Sequence, residues 1–351
     1  MQEQIERHID MLVRTGIEEG VQVAVYRDGA LIVDAVAGSA DGQPVTSGTP
    51  IFSFSLAKNV TATLAQLLVA RGFLDYDSPV TEVWPEFGAH GKSTATLRHV
   101  LTHTVGLPAM PREITPDQLP DWSRVCESLA AAEPRWPPGT AMGYHSYTFG
   151  YLVGELARRT TGRSMSELLH EWITVPLGIE GQLYFAAPDQ ALPELARLEQ
   201  PKGQWPAAQD DAILAPWESQ PSADFGNNGE ILRADIPSVG IASARGLAAM
   251  FNAVLQGKLV DSARLTEFSA LAFEGVDQVF GTPARMALGF PIGRMGAPAE
   301  ENSVAFGWPG GGGSYAYADP ARGIAFALTK TRLVPNFDTA LGVTAIVADG
   351  S

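Results

Sequence analysis

The chain has 351 residues, enough to bury one large core or two linked subdomains. Its 39 acidic side chains against 24 basic ones give a net charge of −15, which repels phosphate backbones and anionic membrane surfaces and argues against nucleic-acid binding. Cys126 is the single cysteine, so no intramolecular disulfide can form, and neither a secretion-type leader nor a membrane-length apolar run (roughly 18–20 residues) is read, so a soluble cytoplasmic protein is expected.

Apolar spacing at Ile5, Ile9 and Leu12 predicts an opening helix over residues 5–13. Residues 21–26 and 31–36 read as paired strands around Arg27-Asp28-Gly29-Ala30, whose Asp-Gly marks a tight hairpin turn. Phe52-Ser53-Phe54-Ser55-Leu56-Ala57-Lys58 then heads an amphipathic helix, with apolar residues at Val60, Leu64, Leu67 and Leu68 and Arg71-Gly72 at its end. Ser55 and Lys58 stand three apart and project from one face near the helix N-terminus. A serine hydroxyl needs an adjacent base at neutral pH, and a lysine partly desolvated in a pocket can be that base. The helix N-terminus favours the negative charge that develops on the oxygen. Such a four-residue pattern arises by chance and gains weight only from partners elsewhere.

From about residue 75 to about 283, helices and Pro-rich loops dominate. The clearest helices fall at 97–102, 149–161, 166–172 and 244–255, the last with Ser243 as N-cap. Residues 201–237 are rich in Pro, Asp, Gly and Asn and read as loop. Short Gly-bounded strands return at 286–294, 303–306, 313–318 and 324–331, with Asp319-Pro320-Ala321-Arg322-Gly323 as a turn, and residues 336–347 close the chain as a helix. Strands at both ends around a helical middle predict an α+β fold. Its antiparallel sheet, flanked by helices, is assembled from residues 1–75 and 284–351, and residues 76–283 form an inserted, mainly helical domain.

Three further segments join the Ser55 and Lys58 pair: Leu97-Arg98-His99-Val100-Leu101-Thr102-His103-Thr104-Val105-Gly106-Leu107-Pro108, Gly139-Thr140-Ala141-Met142-Gly143-Tyr144-His145-Ser146, and Phe306-Gly307-Trp308-Pro309-Gly310-Gly311-Gly312-Gly313-Ser314. With these, and with Asp224-Phe225-Gly226-Asn227-Asn228 and Arg245-Gly246-Leu247-Ala248, the chain resembles the penicillin-recognising serine hydrolase superfamily over roughly residues 22–332. The resemblance is strongest to class C β-lactamases and family VIII carboxylesterases. It implies a β-lactamase/transpeptidase-like fold, an acyl-enzyme on Ser55, a small-molecule ester or amide substrate, and no metal or organic cofactor. By the same resemblance Ser55 matches the nucleophile, Lys58 its proton-accepting partner, and Tyr144 the tyrosine of Tyr-x-Asn, a general base and acid. The backbone N–H groups of Ser55 and Gly311 match the oxyanion hole. A free phenol titrates near ~10, so Tyr144 needs a nearby cation, and Lys58 is the candidate.

Two departures from the family pattern bear on substrate. Ser146 stands where the family has the Asn of Tyr-x-Asn, and Trp308-Pro309-Gly310 stands where it has Lys-Thr-Gly. In β-lactamases that lysine and threonine help hold the substrate carboxylate, and Trp308 with Pro309 offers neither a cation nor a hydroxyl. An indole favours an apolar or aromatic acyl or alcohol group. Substrate contacts are therefore expected at Trp308, Ser146 and Gly310, with His145 a lesser candidate. The glycines from Gly310 to Gly313 fit either a flexible turn or close backbone approach to a ligand.

His99 and His103 have a spacing compatible with metal ligation on a helix, but no Asp, Glu or Cys completes the set, and a structural role is the better reading. Cys126 reads as a buried small hydrophobe. A Gly-x-Ser-x-Gly elbow, a P-loop and a dinucleotide fingerprint are all missing from the sequence. The function expected is hydrolysis of carboxylic esters through acyl-Ser55. Alternatives are acyl transfer from the same intermediate, or hydrolysis of β-lactams, D-aminopeptides or amides. A catalytically silent scaffold is the reading from another class, and Ser55, Lys58 and Tyr144 standing together argue against it.

Overall fold

The computed structural model describes residues 1–202, 221–298 and 303–350. Helix α1 (Gln2–Arg14) buries Ile5, Ile9 and Leu12 as one stripe. Strands β1 (Gly20–Arg27) and β2 (Ala30–Ala40) follow, joined by Asp28 and Gly29 at φ +48° and +90°. Two consecutive left-handed residues are what a tight hairpin turn compatible with strand twist requires.

β3 (Gln43–Pro44), β4 (Pro309–Gly310), β5 (Ser314–Asp319) and β6 (Ile324–Lys330) complete the main sheet. Among the described residues its six strands run β3-β2-β1-β6-β5-β4, all antiparallel. The pairing of β1 with β6, from Val21 opposite Lys330 to Arg27 opposite Ile324, joins the two ends of the chain. Period-two alternation then sorts the side chains. Val21, Val23, Val25, Tyr315, Tyr317, Ile324, Phe326 and Leu328 face α1 and the closing helix α5 (Asp338–Asp349). Ala24, Ala316, Ala318, Ala325 and Ala327 face the other way, and their small size lets helix α4 (Ala244–Leu255) lie close across β1 and β6.

Helix α2 (Ala57–Ala70), which follows Ser55, departs from expectation. Read as amphipathic, it is buried on every face from Ala57 to Val69. Its polar residues are accommodated by hydrogen bonds: Thr63 donates to Asn59 O and Gln66 Nε2 to Leu288 O, both at 2.8 Å. A buried polar group left unpaired costs about 1–3 kcal/mol, so these bonds are what permits full burial.

Several late strands also differ. Residues 286–294 and 303–306 form isolated bridges, Ile292 to Phe306 and Phe306 to Ala318, instead of strands. Gly289 and Gly293, at φ +98° and +118°, and the donor-less Pro291 break the ladder there. The regular hairpin lies just before, Phe273–Val276 paired with Pro283–Met286. Within 201–237, read as loop, two short helices occur, Ala223–Gly226 and Gly229–Arg233. Ser222 and Asn228, which count as loop composition in the sequence, cap them. Residues 203–220 of that stretch lie outside the described residues.

The helix at 149–161 appears as α3 (Thr148–Thr161), and that at 166–172 as Met165–Leu169 running into a wider turn over His170–Thr174. No helix of the described residues is long and apolar enough to cross a membrane.

Candidate active site

The serine is presented by a strained turn. Phe54 sits at φ +49°, a left-handed conformation that costs a bulky residue of order 1–3 kcal/mol. Packing pins it: its ring meets Phe52 edge-on at 4.9 Å and stacks on Phe225 at 6.5 Å. A single tight turn, Phe54–Leu56, then leads into α2, so half-buried Ser55 stands at the helix entrance with Lys58 one turn inside. Lys58 is fully buried. Its Nζ lies 3.0 Å from Ser55 Oγ and donates to Ser238 O at 3.2 Å. Burial pushes the amine well below the ordinary lysine range.

Tyr144 reaches the same oxygen from the other side, its hydroxyl 2.6 Å from Ser55 Oγ. The loop carrying it is tightly bonded. Gly143 N–H donates to His103 O at 3.1 Å, His145 N–H to His103 Nδ1 at 2.8 Å, Ser146 N–H to Pro108 O at 3.3 Å, and Tyr144 N–H to Asp277 Oδ1 at 3.2 Å. Burial raises the phenol above its ordinary range; the bond to Ser55 opposes this, and the Asp277 carboxylate adds to it. The expectation that a Lys58 cation lowers this phenol is therefore corrected. Lys58 Nζ does sit 4.9 Å from the ring centre, but one desolvated environment favours the neutral form of both groups.

The glycine-rich strand closes the third side. A Cβ on Gly310 would fall 2.3 Å from Ser53 O, so only glycine lets β4 run this close to the turn that carries Ser55. Asn59, next to Lys58, grips the backbone of Trp308: Trp308 N–H donates to Asn59 Oδ1 at 2.7 Å and Asn59 Nδ2 donates to Trp308 O at 3.2 Å. The Trp308 indole N–H is spent on Gly289 O at 2.7 Å, leaving its ring 5.4 Å from that of Tyr144.

A cavity of about 500 Å³ opens over these groups, lined by Ser55, Tyr144, Ser146, Trp308, Gly310 and Gly311. Its remaining wall is largely apolar, with Met142, Tyr147, Phe280, Pro291 and Phe337, and includes the cation Arg285. Arg245 instead pairs with Asp34 at 3.5 Å.

His145 is a correction. It is fully buried outside the cavity lining, with Nε2 accepting from Leu107 N–H at 3.0 Å and Nδ1 bonded to Gly143 O at 2.6 Å. Adjacent residues on an extended segment point to opposite sides, so seating Tyr144 in the pocket turns His145 away. His99 Nδ1 accepts Thr96 N–H at 3.2 Å within a helix cap. Cys126 is buried, and burial pushes its thiol far up. Asn59, His103, Ser238 and Asp277 were not picked out as site residues from sequence. The one local signal was Asn59, a polar residue directly after Lys58.

The description "Beta-lactamase" belongs to the family model that matches residues 5–350. The chain belongs to this family. Within the β-lactamase family, Esterase/beta-lactamase LipL of Mycobacterium tuberculosis (strain ATCC 25618 / H37Rv) is 34% identical over 337 residues, spanning 90% of this chain and 77% of LipL. A solved family VIII carboxylesterase superposes with a TM-score of 0.89 at 26% identity, covering 98% of this chain and 97% of that one. A penicillin-binding protein homologue from Caulobacter crescentus superposes with a TM-score of 0.85 at 33% identity, covering 98% and 96%. The mixed α+β architecture with its antiparallel sheet is thus the family's fold, as the resemblance implied.

Proposed function

We propose that this protein hydrolyses carboxylic esters through an acyl-Ser55 intermediate. One observation carries the reading: Ser55 Oγ lies between a buried amine at 3.0 Å and a half-buried phenol at 2.6 Å, in the lining of a largely apolar cavity. With Lys58 neutral, its lone pair takes the Ser55 proton as Oγ attacks the ester carbonyl. The resulting ammonium returns a proton through the Tyr144 hydroxyl to the departing alkoxide. Water then enters, gives up its proton along the same pair, and attacks the acyl group to release Ser55. The backbone N–H groups of Ser55 and Gly311 are assigned to the developing oxyanion. Similarity to the esterase/beta-lactamase LipL and to a family VIII carboxylesterase supports ester as the substrate class.

Neutral esters are expected to exceed benzylpenicillin-type substrates in kcat/KM. Trp308 and Pro309 occupy the place of the family's Lys and Thr, and a lost charge-assisted hydrogen bond is worth about 1.5–3 kcal/mol, roughly tenfold to more than a hundredfold. Intact-mass detection of adducts across esters, amides and β-lactams, with kcat/KM for each class, checks this. Turnover of the β-lactam as efficient as that of the ester would sink the substrate assignment, and its loss in Arg285→Ala would then locate the cation responsible.

The pH dependence follows from the amine. Activity requires unprotonated Lys58, so kcat/KM should be full above its lowered pKa and fall as pH drops through it. An acid limb centred at ~10.4, the ordinary lysine value, would contradict the lowering of Lys58 by burial.

A further inference from the structure

The tyrosine loop is laced to a turn far away in sequence. Between the strands Phe273–Val276 and Pro283–Met286, Gln278 N–H donates to Met142 O at 2.9 Å. Beside it, Asp277 Oδ1 accepts Tyr144 N–H at 3.2 Å. The same oxygen accepts Val279 N–H at 2.7 Å and Phe280 N–H at 3.3 Å. Asp277 is only 6% exposed, and its own backbone is tied into the turn, its N–H donating to Thr282 O at 2.9 Å and its O accepting Gly281 N–H at 2.7 Å. Phe280 stands three positions after Asp277. Its side chain is more than half exposed, yet its ring lies 5.5 Å from that of Tyr144 and lines the cavity.

We propose that Asp277 is the positioning residue for Tyr144, setting the phenol on Ser55 Oγ and seating Phe280 as the cavity wall beside it. The inference rests on the reading of Tyr144 as the group that passes a proton to the leaving oxygen. One carboxylate oxygen gathers three backbone N–H groups, two from its own turn and one from the tyrosine itself. A shift of the turn therefore moves the phenol and the wall together. Across the loop His103 holds the neighbouring residues, so Tyr144 is gripped from two sides and its own N–H by Asp277 alone among the described residues. Among the described residues, Lys58 lies over the phenol ring, His103 stacks on it and Asp277 holds its backbone N–H. Burial does most to oppose ionisation of the phenol and Asp277 adds to it, which favours the form that donates a proton.

The test separates positioning from mere stability by leaving group. An ethyl ester departs as an alkoxide too basic to leave without a proton, whereas a 4-nitrophenyl ester of the same acid departs as a stable phenolate. A displacement of about 1 Å in a catalytic group costs on the order of a hundredfold. Asp277→Ala should therefore lower kcat/KM for the ethyl ester by at least about tenfold more than for the nitrophenyl ester. Tyr144→Phe sets the upper limit of that bias. Asp277→Asn keeps an oxygen that can accept the three N–H groups, and should show the same bias reduced to a fewfold. If Asp277→Ala is recovered only unfolded, the ratio in Asp277→Asn decides. Equal losses on the two esters, or no loss on either, overturn the inference while the wild-type activity stands. A wild type that forms no acyl-Ser55 adduct with either ester overturns the ester reading and this inference with it.

Discussion

Ser55→Ala is expected to reduce kcat for a 4-nitrophenyl ester by about 10⁴-fold or more and to abolish the covalent adduct, without unfolding the protein. The magnitude follows from the behaviour of nucleophile deletions in serine hydrolases, where the remaining machinery supplies only the binding and oxyanion contributions. Stability should be little affected. Ser55 is half-buried, and the two groups bonded to Oγ retain other anchors: Lys58 still donates to Ser238 O, and the Tyr144 loop still holds its backbone bonds. The strain at Phe54 is fixed by the rings of Phe52 and Phe225, so the turn should survive the loss of the hydroxyl. Thermal unfolding within a few degrees of wild type, intact mass without an acyl increment, and a lost turnover together are the expected result. Hydrolysis persisting near the wild-type rate would show that another group is the nucleophile.

Local patterns were legible in the sequence wherever the physical cause is itself local. The Asp28 and Gly29 turn, the cap at Ser243 and the shared face of Ser55 and Lys58 each depend on a few neighbouring residues, and each appears in the structure. The joining of both chain ends in one sheet was also readable, because strand-like segments occur at both ends around a helical middle. What escaped depends on partners distant in sequence. The grip of Asn59 on Trp308 spans 249 positions and that of Asp277 on Tyr144 spans 133, and nothing in either neighbourhood signals the other. Burial misled in two places. Helix α2 shows apolar periodicity, yet its polar positions are buried too, because carbonyls from remote loops satisfy them. The same burial lowers the Lys58 amine and raises the Tyr144 phenol, where sequence reasoning supplied a cation for the phenol.

That buried amine gives the second large effect. Lys58→Ala and Tyr144→Phe are each expected to lose about 10³-fold or more in kcat/KM, and the double variant little more than the worse single one, because both serve one proton path to and from Ser55 Oγ. A double loss equal to the product of the single losses would mean two independent roles. Lys58→Arg discriminates further. A guanidinium keeps the positive charge but cannot give up its proton in this range, so it should be no better than alanine if the amine acts as a base. Rescue by arginine would make the residue an electrostatic one instead. Folding stability offers a check that needs no substrate. The unfolded chain holds the lysine proton up to about pH 10.4, while the folded chain releases it at the lowered value. Between those two values the unfolded state binds more protons, so stability should rise with pH across that window. In Lys58→Met, which fills similar space without a titrating group, that part of the rise should vanish. Unfolding free energies of the two proteins measured against pH, and subtracted, isolate the lysine. A flat difference through the window would mean that Lys58 keeps its proton in the fold and is no base at rest.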